Sequence, residues 1–68
     1  MLIVNKAMNF AVNLDNVSML SVETEEFPYS IHADGIDVDA FNKEEDAVAE
    51  FRRIIDAYAA NRRVCYIE

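Results

Sequence analysis

DGIDVDAFNKEEDA, residues 34–47, decides how this chain is read. Asp34-Gly35 is a strong two-residue hairpin signal, because both residue types accept the positive φ that a tight β-turn demands. Ile36, Val38 and Ala40 then alternate with Asp37 and Asp39, the pattern of a strand with one apolar and one wet face. Asn42, with Glu45 three residues on, is a capping-box pair that opens a helix, and Glu44, Glu45 and Asp46 stand in its first turn, where the helix dipole favours negative charge. A hairpin running straight into a helix sets the fold class, α+β.

Upstream of the turn, Tyr29, Ile31 and Ala33 face one way and Ser30 and His32 the other, so residues 29–41 read as a hairpin with an acidic outer face carrying Asp37 and Asp39 together. Downstream, Ala47, Val48, Phe51, Ile54, Ile55 and Tyr58 form one apolar stripe at helical spacing. Arg62 and Arg63 follow, where positive charge suits the end of a helix. Val64 to Ile67 reads as a last short strand or an extended tail. Earlier in the chain, residues 2–4 and 10–14 predict two short strands around the turn Asn5 to Asn9, and residues 17–25 predict a third with apolar residues on both faces. The expected architecture is one domain spanning residues 1–68: an antiparallel sheet of four to five strands with one amphipathic helix packed on one face.

A single core in 68 residues supplies only about 3–5 kcal/mol beyond the entropy it must offset. Small domains supplement such a core with disulfides, a structural metal or self-association. Cys65 and His32 are the only residues of their types, which leaves self-association. The apolar share is 53%, above the usual range of about 45–50%, and part of the excess reads as an interface, that of a homodimer. A lone cysteine places the chain in a reducing compartment, the cytoplasm. The opening MLIVNKAMNFAVNL holds neither a signal peptide's apolar core nor a membrane span.

Net charge is −7, and it is unevenly placed: residues 1–46 hold ten acids and two lysines, residues 47–68 three acids and four arginines. Such a surface repels nucleic acid and membranes and attracts basic protein surfaces. Asp34, Asp37, Asp39, Glu44, Glu45 and Asp46, extended by Glu23, Glu25 and Glu26, are therefore the candidate contact residues for a basic partner. Asp34, Asp37 and Asp39 lack the spacing of a calcium loop, so no metal is expected. His32 has no cysteine or other strong nucleophile beside it in the sequence, no catalytic residue is expected, and Cys65 in VCYI reads as a small buried hydrophobe. Arg52, Arg53, Arg62 and Arg63 are the only group able to meet an anion, and they suggest an alternative: a homodimer that sequesters a nucleotide signal.

The run AVNLDNV at 11–17, the acidic hairpin, KEEDAVAEFRRIIDAY at 43–58 and VCYI at 64–67 together resemble a broad group of small proteins carried by bacteria, their phages and mobile elements, built as strands, then a helix opening on Glu-Glu, then a short aromatic tail. That resemblance implies no catalytic residue and no cofactor. It implies action by binding, as in anti-CRISPR and other anti-defence inhibitors that block the positively charged channel of a host nuclease.

Overall fold

The computed structural model describes residues 1–67. Six strands and one helix follow one another as β1 (Leu2–Asn5), β2 (Phe10–Asn13), a single 3-10 turn (Leu14–Asn16), β3 (Leu20–Val22), β4 (Tyr29–Ala33), β5 (Ile36–Phe41), α1 (Glu44–Ala59) and β6 (Val64–Ile67). The class is α+β. The strands do not form one antiparallel sheet of four or five; they form two sheets of three, ordered β2-β1-β6 and β3-β4-β5. The segment expected as a strand over 17–25 is mostly irregular, which separates the two sheets. Val64–Ile67 is a strand, and it runs parallel to β1, pairing Leu2 with Val64 and Asn5 with Ile67.

Alternation explains which faces close on each other. Ile3 and Asn5 on β1 and Cys65 and Ile67 on β6 point inward, and Ile31, Ala33 and Val38 come from the second sheet. Helix α1 adds Ile54, and Ala47 is buried at its start; it packs against β3, β4 and β5 and also against β6. Ile3, Ile31, Val38 and Ile54 are the large side chains withdrawn completely from solvent, each stabilising the fold by about 1.5–3 kcal/mol. Of the stripe expected on the helix, Ile55 and Tyr58 are exposed, and Ala57 packs on the core instead.

Both helix ends depart from the sequence reading. The N-cap is Lys43, in extended geometry and without a side-chain cap hydrogen bond, so Asn42 and Glu45 do not close a capping box. At the other end Asn61 takes a left-handed φ of 59°. Its N–H donates to the Tyr58 carbonyl and the Arg62 N–H to the Ala57 carbonyl, at 3.0 and 3.1 Å. This is a Schellman termination with asparagine in place of glycine. Arg62 thus ends the helix through its backbone.

Candidate functional site

The β4–β5 hairpin is built on Asp34 and Gly35, with φ of 50° and 85°. Asp34 does more than turn the chain. Its carboxylate accepts from the backbone N–H groups of Ser18 and Met19, both at 2.9 Å, and its own N–H donates to the Met19 carbonyl at 3.0 Å. A carboxylate spent on two backbone donors fixes the entry to β3 and is not the free contact residue the sequence suggested.

Past the turn the ladder pairs Ala33 with Ile36 and His32 with Asp37, then skips Val38 and pairs Ile31 with Asp39. Val38 is the extra residue of a β-bulge. Residues directly opposite one another share a face, so Asp37 lies with His32 on the outer face while Asp39 lies with Ile31, toward the helix. Bulges re-aim side chains in this way. The expected acidic face with both aspartates is thereby split. Asp37 meets His32 Nδ1 at 2.7 Å. Asp39 is half-buried; burial raises its pKa, an effect the Ala40 N–H counters and nearby Glu50 reinforces. One Asp39 oxygen, Oδ2, is fully covered and has no hydrogen-bond partner among the described residues.

The same outer face sets Ser21 opposite His32 and His32 opposite Asp37, a Ser-His-Asp row across three strands. Among the described residues His32 is held by Asp37, and no hydrogen bond joins it to Ser21. The row therefore lacks the nucleophile–base contact that catalysis requires. Asp34, Asp37 and Asp39 do not converge, and among the described residues no three His, Cys, Asp or Glu side chains are grouped to hold a metal ion.

The remaining candidate contact acids lie at the opposite end of the second sheet. Pairing of Tyr29 with Phe41 brings the loop before β4 beside the segment after β5. Glu25 and Glu26 therefore share one end of the molecule with Glu44, Glu45 and Asp46, all five exposed. Glu23 is a scaffold here: its Oε1 accepts from the Glu25 and Glu26 N–H groups at 2.9 and 3.3 Å and fixes the loop that carries them. At the tip of that loop Phe27 is 67% exposed, steadied edge-on by Tyr29 with ring centroids 6.4 Å apart. An exposed aromatic among carboxylates has the make-up of a protein-binding anchor. The sequence reading does not single out Phe27; the Phe-Pro pair in an acidic loop was the available signal.

The four arginines do not converge on one site. Arg53 forms a two-pronged ion pair with Glu50 on its own helix and reaches the Tyr66 carbonyl, tying α1 to β6. Arg53 and Arg62 line one depression of about 530 Å³ that also holds Asp56. Arg62 and Arg63 line a second of about 380 Å³ with Met1, Asp15 and Tyr58. There the terminal ammonium of Met1, 3.1 Å from Asp15, holds the Asp15 carboxyl below its ordinary pKa, aided by the Tyr58 hydroxyl. Arg52 lines neither. Cys65 is buried and unpaired in a disulfide.

Among the described residues no helix is long and apolar enough to cross a membrane. Comparison of the chain with protein-family models, with curated proteins and with solved structures gives no match.

Proposed function

We propose that this chain is a non-enzymatic, cytoplasmic binding protein whose acidic end, Glu25, Glu26, Glu44, Glu45 and Asp46 around Phe27, occupies a basic, nucleic-acid-binding surface on a partner protein. In the setting its sequence resembles, a phage or mobile element, that partner is a host defence protein and the chain is an anti-CRISPR-like inhibitor. The observation that supports the reading is the Tyr29–Phe41 register, which brings two separate segments carrying five exposed carboxylates to the end of the second sheet where Phe27 is also exposed. A groove that binds phosphates presents spaced cations, and fixed carboxylates compete for them by the same Coulombic attraction. Phe27 adds a contact that salt does not screen.

Pull-down from host lysate at low and high salt identifies the partner. Reversing charge at Glu44 and Glu45, or at Glu25 and Glu26, is expected to weaken the complex about tenfold or more at low salt and to flatten its salt dependence. Phe27→Ala is expected to cost about 2 kcal/mol, roughly 30-fold, at every salt concentration. Affinity that is indifferent to all three changes overturns the proposal. The sponge reading has less support, because Arg53 is engaged by Glu50 and each arginine-lined depression also contains an aspartate.

A further inference from the structure

Each three-stranded sheet has two edges, and an edge strand's unpaired N–H and C=O groups recruit another strand unless something blocks them. Three of the four edges here are blocked. At β3 the strand has only three residues, and Asp34 holds the Ser18 and Met19 N–H groups that would extend it. At β5 the bulge breaks the edge and Asp37 stands exposed on it. At β6 the Arg53 guanidinium occupies the Tyr66 carbonyl. Strand β2, Phe10–Asn13, has no charge, no proline and no bulge.

The Leu14 N–H donates to the Met1 carbonyl at 2.8 Å, continuing the β1–β2 ladder. Antiparallel alternation then turns the N–H groups of Phe10 and Val12 toward β1 and those of Ala11 and Asn13, with the Ala11 carbonyl, outward. On the inner face Phe10, Val12 and Leu14 are only half-buried, so the core is incomplete along this edge. Charge selects the occupant. The strands of this sheet, LIVN, FAVN and VCYI, contain no charged residue, while eleven of the thirteen carboxylates fall between Glu23 and Asp56. A partner that is itself strongly acidic is repelled by most of this surface and accepted here.

We infer that β2 is the interface for a second copy of this chain, the two β2 strands pairing antiparallel about a two-fold axis at Val12 to make one continuous six-stranded sheet. In that register Ala11 lies opposite Asn13 of the second copy and Phe10 opposite its Leu14. No two like charges oppose each other, and the half-buried edge residues of both copies cover one another. The interface lies on a different sheet from the acidic end, so this inference is independent of the proposed function.

Light scattering after size exclusion tests the mass, with about twice 7.8 kDa expected. In the wild type, amide exchange at Ala11 and Asn13 is expected to slow about tenfold or more as concentration rises from roughly 10 μM to 1 mM. Ala11→Pro removes an outward N–H that β1 does not use, and prolines are tolerated at such edge positions. It is expected to give a monomer with an unchanged circular dichroism spectrum, as is Ala11→Glu. A wild type that stays monomeric, or amides at 11 and 13 indifferent to concentration, overturns the inference. So does a dimer that survives both Ala11 variants, in particular one that Leu2→Glu or Tyr66→Glu on the sheet's outer face dissociates instead. Should Ala11→Pro fail to fold, Ala11→Glu and the wild-type exchange data decide.

Discussion

The side-chain amide of Asn5 donates to the backbone carbonyl of Val38 at 2.8 Å, joining the central strand of one sheet to the bulge of the other. Its Oδ1 accepts from the Met8 N–H at 3.1 Å, so one 3% exposed side chain also fixes the β1–β2 turn. Val38 is the residue the register skips, and a buried carbonyl must be satisfied from somewhere. Asn5 satisfies it.

Asn5→Ala leaves both the Val38 carbonyl and the Met8 N–H without that partner. Loss of about 2–3 kcal/mol is expected, a large share of what so small a domain holds, and urea or thermal unfolding would read it directly. A loss under about 0.5 kcal/mol, the scatter of ordinary surface substitutions, would mean the sheets are held by packing alone.

Asp34→Ala is expected to cost about 1.5–3 kcal/mol, since two backbone donors lose a charged acceptor and alanine must adopt positive φ. Asp34→Asn keeps one acceptor oxygen and tolerates the turn, so it should cost less. Binding to a basic partner should change little in either variant once folded protein is compared with folded protein. An Asp34→Asn variant of wild-type stability but much weaker affinity would return Asp34 to the contact surface.

Asp39 makes stability fall as pH rises. Its folded pKa lies above the unfolded value of about 3.8, so the native state binds the extra proton between the two. The contribution is fully present below 3.8 and is lost as pH climbs through the raised value. Asp39→Asn keeps an acceptor for the Ala40 N–H and removes the charge beside Glu50. It is expected to stabilise the protein near neutrality by less than about 1 kcal/mol, the carboxylate being only partly withdrawn from solvent, and to gain nothing at pH 3. Equal effects at both pH values would show that charge is not the cause.

Lys43 stands at the N-cap with extended geometry already suited to a capping side chain. Lys43→Ser or Lys43→Asp should raise stability by about 1 kcal/mol, about 4–8 °C in Tm for a domain of this size. A neutral result would mean that the first helical N–H groups are already satisfied by water at no cost.

Several local signals in the sequence hold in the structure. Asp34-Gly35 turns as those residue types must, the 3.6-residue spacing from Ala47 places the helix, and VCYI buries its cysteine. Most of the failures are non-local. IDVDA keeps apolar–acidic alternation straight through the bulge, so nothing in the pattern announces that Asp39 changes face. Asn5 looks like a turn residue until the second sheet arrives with a carbonyl to receive it. Glu25 and Glu26 become neighbours of Glu44 and Glu45 only through the Tyr29–Phe41 register, which no window of sequence contains. The capping box failed for a smaller reason: the helix begins one residue later than Asn42 requires.

The parallel pairing of β1 with β6 imposes an order on assembly. β1 lies between two strands, one of which follows it within a few residues while the other is the final strand described, so on a ribosome the first sheet waits, half built, until Val64–Ile67 emerges. The hairpin and helix between them depend on local contacts and can form early, whereas closing the longest loop comes last and sets the pace. During that wait Leu2–Asn5 and Phe10–Asn13 are an uncharged two-stranded ribbon, the stretch a nascent-chain chaperone would hold.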